Sequence, residues 1–193
     1  MTQYITPVFS TVGIVGTGAM GRGIAQIAAQ AGSRVVLFDA APDAGGKALA
    51  AIVQQWEKLA EKGRLTQAEV AQRVALLSVA VSNQDLAPCD LVVEAIVENL
   101  KVKQSVLSEI EGIVSSNTVL VSNTSSLSVT AIAAGLKRPT QFAGFHFFNP
   151  VPLMKVVEVI AGLKTEPTVC AKLAVYAQQM GHKAVQAADT PGF

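Results

Sequence analysis

The sequence has few charged residues and no excess of either sign. Charged side chains make up 15% of the 193 residues, and 15 Lys and Arg against 14 Asp and Glu leave a formal net charge of +1. A nearly neutral chain lacks the positive patch by which proteins bind nucleic acid or anionic membrane surfaces, so we expect neither partner. Hydrophobic residues reach 50%, which is typical of a compact globular protein.

Cysteine and long apolar runs are also scarce. Polar residues interrupt every apolar run well before the 18 positions that a membrane-spanning helix needs, and residues 1–10 lack the basic and apolar regions of a secretory signal. The two cysteines, Cys89 and Cys170, lie far apart and match no metal-ligand spacing. We therefore predict reduced thiols, a cytoplasmic location and no metal site.

Short apolar segments alternate with helical segments along the chain. Strands that are apolar nearly throughout, separated by helices, predict an α/β fold with a mostly parallel sheet and helices on both faces. The predicted strands cover residues 11–15, 34–38, 74–81, 91–95, 119–121, 142–150, 155–160 and 183–187. The predicted helices cover residues 19–31, 100–114, 128–136 and 165–180.

A more charged helical region occupies residues 42–73. Gly63 interrupts it, and Thr66 with Glu69 then forms the T-x-x-E pattern of a capping box. This predicts two antiparallel helices that project from the sheet. We expect residues 1–10 to be an N-terminal extension, residues 11–188 to form one domain, and residues 189–193 to begin a linker.

A glycine-rich turn follows the first predicted strand and opens the first helix. Its sequence is Gly16-Thr17-Gly18-Ala19-Met20-Gly21. In such a turn the first glycine permits a tight bend, the second lets backbone approach a pyrophosphate, and the third lets helix and strand pack closely. The helix N-terminus attracts the phosphates. The motif predicts a Rossmann-type dinucleotide site, and the alternative of a turn without a ligand is the weaker interpretation.

An acidic residue ends the second predicted strand. Asp39 lies 18 residues after Gly21, where a carboxylate hydrogen-bonds the adenosine ribose hydroxyls. Because a carboxylate repels a 2′-phosphate, Asp39 favours NAD over NADP.

Two ionisable residues lie in very apolar predicted strands, twelve positions apart. A buried carboxylate costs several kcal/mol unless it is paired, and His146 and Glu158 on adjacent strands can satisfy each other. Taken singly, each is as well explained as a core histidine or a structural carboxylate. Together with a dinucleotide site they predict a general base, His146, that is oriented by Glu158.

Two further polar residues follow predicted strands at the edge where ligands collect in α/β sheets. Ser125 and Asn149 could hydrogen-bond the reacting oxygen or the nicotinamide. The alternative is ordinary turn capping, which Ser and Asn often perform.

Five motifs, in this order, resemble the L-3-hydroxyacyl-CoA dehydrogenases. They are G-T-G-A-M-G-R-G-I-A-Q at 16–26, V-E-A-I-V-E-N at 93–99, S-N-T-S-S-L at 122–127, H-F-F-N-P-V-P at 146–152 and T-P-G-F at 190–193. The resemblance implies NAD-dependent interconversion of (S)-3-hydroxyacyl-CoA and 3-oxoacyl-CoA, with His146 as base, Glu158 as its partner, and Ser125 and Asn149 beside the reacting centre.

The resemblance also adds three residues that the pattern alone would not nominate. Glu98 and Lys103 match family positions that contact the cofactor, although in the sequence they look like an exposed pair near a helix start. Lys62 matches a position that contacts coenzyme A, although composition suggests a solvated lysine.

The sequence departs from the family pattern at its C-terminus. Family members continue past T-P-G-F into a helical domain that completes the substrate site and carries most of the homodimer contact. We therefore expect a fragment that holds the cofactor domain, with little or no turnover alone. Alternatives are a non-catalytic NAD-binding protein, as in the lens crystallin relatives, and another hydroxyacid dehydrogenase, which the H-F-F-N-P segment and the helix pair disfavour.

Overall fold

The structure, a computed structural model, describes residues 6–190. Two segments lie outside the described residues: residues 1–5, the first half of the predicted N-terminal extension, and residues 191–193, most of the T-P-G-F motif. The strands are β1 Thr11–Val15, β2 Arg34–Phe38, β3 Leu77–Val79, β4 Leu91–Glu94, β5 Val119–Ser122, β6 Phe142–Phe147, β7 Val156–Ala161 and β8 Lys183–Ala187. The α-helices are α1 Ala19–Gln30, α2 Ala44–Glu61, α3 Gln67–Val74, α4 Leu100–Glu111, α5 Val129–Ala133 and α6 Pro167–Gln179.

The eight strands form one sheet in the order β3-β2-β1-β4-β5-β6-β7-β8. Strands β6 and β7 are antiparallel, and every other neighbouring pair is parallel. The chain therefore reverses its strand order between β1 and β4, which is the switch point where ligands bind in open α/β sheets. The predicted Rossmann-type fold with a mostly parallel sheet is confirmed.

Two separate hydrophobic clusters cover the two faces of the sheet. Side chains of α1, α2, α3 and α6 pack on one face, and those of α4 and α5 pack on the other. Alternation along β4 divides its residues between the faces, with Val93 in the first cluster and Val92 in the second. The prediction of helices on both faces is confirmed, and it explains why the strands are apolar nearly throughout.

The predicted strand at residues 74–81 is wrong in its extent. Val74 ends α3, and β3 pairs with β2 over just three residues. The Thr66–Glu69 capping box starts α3 as predicted, and the helical hydrogen bonds continue to Ala75, so helix geometry overrides the strand preference of the valine.

The helix pair α2 and α3 packs together beside the sheet edge at β3. Ile52 and Trp56 of α2 belong to the larger hydrophobic cluster, so the pair is anchored on the domain core rather than held by the linkers alone. The pair thus extends the fold at one edge without forming a separate core.

Both cysteines, Cys89 and Cys170, are buried and free. Burial, helped by the nearby Asp90 carboxylate, raises the pKa of the Cys89 thiol to about 12. This thiol is therefore protonated and unreactive at neutral pH.

Between residues 6 and 190, no helix combines the length and the apolar character that crossing a bilayer requires.

Candidate active site

The glycine-rich turn between β1 and α1 has the close contacts that its sequence predicts. Gly16 has φ +91°, and a Cβ atom there would lie 2.6 Å from the Ala95 carbonyl oxygen. A Cβ on Gly21 would lie 1.8 Å from the Gly16 carbonyl oxygen, so α1 approaches the turn too closely for any side chain. A Cβ on Gly18 would meet no atom within 4 Å, which leaves this part of the turn open to a ligand.

Asp39, at the end of β2, is fixed beside this turn. Its Oδ2 accepts hydrogen bonds from the backbone N (2.7 Å) and Oγ1 (2.8 Å) of Thr17, and its Oδ1 accepts one from Ala41 N (2.9 Å). Burial tends to raise the pKa of Asp39, but the hydrogen bonds from Ala41 and Thr17 outweigh it and hold the pKa below its ordinary value. Asp39 therefore carries a negative charge at neutral pH, at the rim of a cavity of about 640 Å³.

His146 and Glu158 lie directly opposite each other on β6 and β7. His146 Nδ1 is 2.8 Å from Glu158 Oε2, and the side chains are 13% and 20% exposed. The Phe148 ring packs against the imidazole, with the ring centroids 4.6 Å apart. The predicted pair on adjacent strands is therefore present, partly shielded from water.

A cavity of about 330 Å³ brings together six of the fourteen predicted site residues, namely Met20, Glu98, Lys103, Ser125, His146 and Asn149. It lies at the carboxyl ends of β4, β5 and β6, beside the start of α1. Its lining residues are Met20, Ala95, Ile96, Glu98, Lys103, Asn123, Ser125, His146, Phe147, Phe148 and Asn149. Lys62, by contrast, is exposed at the C-terminal end of α2 and does not line this cavity.

The expectation that Glu98 and Lys103 form an exposed pair is wrong for Lys103. The Lys103 side chain is 1% exposed, and its Nζ lies 2.6 Å from Glu94 Oε1 and 3.2 Å from Glu98 Oε2. Lys103 is on the inner face of α4, and this face packs against the sheet where β4 ends in Glu94.

Glu98 joins this buried lysine to the segment that carries Ser125. Its Oε1 accepts hydrogen bonds from the Thr124 hydroxyl and from the backbone N of Ser125 (3.0 Å) and Ser126 (3.2 Å). Burial tends to raise the pKa of Glu98, but the Thr124 hydrogen bond and the Lys103 charge outweigh it and lower that pKa. Glu98 is thus an ionised acceptor at the cavity wall.

Two residues of this site were missed in the sequence. Glu94 is a fully buried carboxylate, and Asn123 Oδ1 accepts a hydrogen bond from Phe147 N (2.9 Å) and so joins the ends of β5 and β6. The sequence did indicate that a buried acidic residue such as Glu94 is needed. Lys103 shares the apolar i, i+4, i+7 face of α4 with Leu107 and Ile110, and a lysine on such a face needs a buried partner. Asn123 carried no such signal.

A match that covers most of the chain shows its family. The family model described as 3-hydroxyacyl-CoA dehydrogenase, NAD binding domain, matches residues 11–190. The chain belongs to this family. The resemblance drawn from the five motifs is confirmed, as is the expected cofactor, NAD.

Individual relatives agree with the family match. A probable 3-hydroxybutyryl-CoA dehydrogenase of Bacillus subtilis is 41% identical over 93% of this chain, and the fatty acid oxidation complex subunit alpha of Pseudomonas aeruginosa is 42% identical over the same share. The chain spans 63% and 25% of the lengths of these two relatives. The crystal structure of (S)-3-hydroxybutyryl-CoA dehydrogenase from Ralstonia eutropha matches 96% of this chain at 42% identity with a TM-score of 0.92, and the match covers 65% of that protein.

Proposed function

We propose that this domain serves the NAD-dependent interconversion of (S)-3-hydroxyacyl-CoA and 3-oxoacyl-CoA. The observation that carries the proposal is the 2.8 Å contact between His146 Nδ1 and Glu158 Oε2. This pair borders the same cavity as Ser125 and Asn149, at the switch edge of a dinucleotide-binding sheet.

The residues around the glycine turn fit NAD. The turn formed by residues 16–21 is open at Gly18, and α1 begins there without a side-chain cap, so its first N–H groups are available to a pyrophosphate. The Asp39 carboxylate would hold the adenosine ribose hydroxyls. Met20, Glu98, Lys103, Ser125 and Asn149 would contact the nicotinamide half of the cofactor, because all five line the cavity that His146 borders.

His146 is the proton acceptor in this mechanism. Glu158 holds Nδ1, which favours the tautomer with hydrogen on Nδ1 and makes Nε2 the basic nitrogen that accepts the proton of the substrate hydroxyl. The Glu158 carboxylate then stabilises the imidazolium that forms. Ser125 and Asn149 hydrogen-bond the reacting oxygen. NAD, when bound by the glycine turn and Asp39, would supply the acceptor for the hydride of the alcohol carbon.

Acyl-CoA is the substrate class that goes with this chemistry. Lys62, at the end of α2, would contact the coenzyme A portion, outside the cavity where the proton is exchanged. Homodimer formation through a helical C-terminal domain, and a cytoplasmic location, complete the proposal. The rival function is NAD binding without catalysis. A protein with that function would have no need of both His146 and Glu158.

Two proteins test the proposal. One is the 193-residue chain, and the other is the same chain joined to the C-terminal part of the Ralstonia eutropha relative that lies beyond the match. NAD binding is measured by calorimetry, and NADH oxidation is measured with acetoacetyl-CoA. We expect NAD binding by both and turnover by the longer protein. NAD binding without turnover in both would favour the non-catalytic rival.

A further inference from the structure

A buried ion pair lies behind the cavity wall. The Glu94 side chain is 0% exposed, and its Oε1 is 2.6 Å from Lys103 Nζ. Taking two charges out of water costs several kcal/mol per ion, and an apolar pair of similar volume often stabilises a fold at least as well. A contribution to the stability of the fold therefore does not by itself explain why the chain has this buried ion pair. Its position suggests another reason, since Lys103 also borders the cavity.

Glu94 is held by three different segments at once. Its Oε1 accepts hydrogen bonds from Ile96 N (2.7 Å) and Lys103 Nζ, and its Oε2 accepts one from the Ser122 hydroxyl (2.6 Å). These contacts join the ends of β4 and β5 to α4. The carboxylate is thus a fixed point, and the ammonium of Lys103 is fixed by it.

From Lys103 the contacts continue to Ser125, which lines the same cavity as His146. The ammonium lies 3.2 Å from Glu98 Oε2, and Glu98 Oε1 accepts the backbone N–H groups of Ser125 and Ser126. Glu98 is 35% exposed, and the ammonium of Lys103 is its contact on the buried side, opposite the hydrogen bonds from the Ser125 segment. The line of contacts runs Glu94, Lys103, Glu98, Ser125.

We propose that Glu94 is a positioning residue for the reaction: through Lys103 and Glu98 it fixes the Ser125 segment in the cavity that His146 borders. The link to the reaction rests on the proposed function. In Glu94→Gln the amide keeps the size of the side chain and an acceptor for Ile96 N, but Lys103 loses its inner negative charge. The ammonium is then no longer held in one position, so Glu98 loses its fixed cation and the Ser125 and Ser126 amides lose a fixed acceptor.

Hydrogen exchange of the 193-residue chain tests the structural part. We expect Glu94→Gln to speed exchange at the Ser125 and Ser126 amides roughly tenfold, as for the loss of one hydrogen bond to a charged group. The matched control is Glu111→Gln, because Glu111 is also buried, accepts the backbone N–H groups of Lys137 and Arg138, and lies at the far end of α4. Unchanged exchange in Glu94→Gln, or equal acceleration in the control, would overturn the proposal.

If the Glu94→Gln protein does not fold, a double variant is used in its place. Glu94→Gln with Lys103→Met removes both buried charges, so no uncompensated ion remains. Here Glu98 loses its cation altogether, and we expect at least the same acceleration at Ser125 and Ser126. Native protection of these amides in the double variant would equally overturn the proposal.

Kinetics of the longer protein test the link to the reaction. We expect Glu94→Gln to lower kcat by roughly tenfold to a hundredfold through misplacement of Ser125, but by less than about threefold when Ser125→Ala is already present. The Glu111→Gln control keeps kcat. Equal losses in both backgrounds would refute positioning through Ser125. A longer protein that never turns over contradicts the proposed function instead, and the exchange experiment still decides whether Glu94 fixes the segment.

Discussion

His146 and Glu158 face each other across the antiparallel pair β6 and β7, with Nδ1 and Oε2 2.8 Å apart. The strand register sets this contact. A slip of one residue would move one side chain to the opposite face of the sheet, where the first hydrophobic cluster packs. Apolar neighbours such as Phe145 and Val159, both fully or almost fully buried, hold the register and therefore the pair.

The first prediction concerns the two members of this pair. In the longer protein, His146→Ala removes the proton acceptor and Glu158→Gln removes the charge that fixes its tautomer, so we expect kcat to fall by roughly 10² to 10⁴ in each. NAD affinity, measured by calorimetry, should stay near that of the unsubstituted protein because neither residue belongs to the glycine turn. Wild-type turnover in His146→Ala would show that the assignment is wrong.

The second prediction concerns the choice between NAD and NADP. Asp39→Ala removes the charge that repels a 2′-phosphate, and we expect the ratio of NADP to NAD affinity to rise by at least about tenfold. Because Asp39 also binds Thr17, Thr17→Val is the control: it removes the hydroxyl contact and keeps the carboxylate. An unchanged ratio in Asp39→Ala, or an equal change in Thr17→Val, would contradict direct contact with the ribose.

The predictable parts of this site are those that short stretches of sequence determine. The glycine turn and the capping box at Thr66 are each formed by a few consecutive residues. His146 and Glu158 are only twelve residues apart, a spacing that favours two strands that follow each other in the chain and pair. Their geometry follows from chain connectivity, so the motifs were sufficient to predict it.

The network around Lys103 could not be predicted in the same way. Glu94 and Lys103 meet because α4 packs on the face of the sheet to which Glu94 points, and this depends on the side to which the chain crosses after β4. The family motif named Lys103 but not its burial. Likewise, β3 begins only at Leu77 because α3 extends to Val74, and the strand preference of Val74 does not indicate this.

The third prediction compares two glycines of helices. Gly21→Ala places a Cβ 1.8 Å from the Gly16 carbonyl oxygen, so the turn must move; we expect a loss of at least about 2 kcal/mol of unfolding free energy and weaker NAD binding. Gly46→Ala is the matched control, since a Cβ there meets nothing within 4 Å, and alanine should stabilise α2 by roughly 0.5 kcal/mol. Urea unfolding measures both. A stable Gly21→Ala that binds NAD normally would contradict the close packing.

The last prediction concerns a carboxylate near the end of the described chain. Asp189 Oδ1 accepts a hydrogen bond from Val129 N (2.7 Å), and Oδ2 accepts one from Thr130 N (2.8 Å) and one from the Ser128 hydroxyl (3.0 Å). It therefore caps α5 from sixty residues away in the sequence. Burial tends to raise the pKa of Asp189, but the hydrogen bonds from the side chain and backbone of Thr130, from Val129 N and from the Ser128 hydroxyl outweigh it and hold the pKa below its ordinary value.

A lowered pKa gives Asp189 a stabilising effect with a definite pH dependence. The stabilisation is complete above the unfolded-state pKa of about 3.9 and is lost as the pH falls through the lower folded-state pKa. Asp189→Asn should therefore cost about 1 kcal/mol of unfolding free energy at pH 7, and the difference from the unsubstituted chain should shrink below about pH 4. Urea unfolding between pH 7 and pH 3 measures this. Glu166→Gln is the control, because Glu166 precedes α6 without a side-chain capping bond, and it should show almost no difference at either pH. A cost in Asp189→Asn that stays constant down to pH 3 would mean that the ionised carboxylate is not what caps α5.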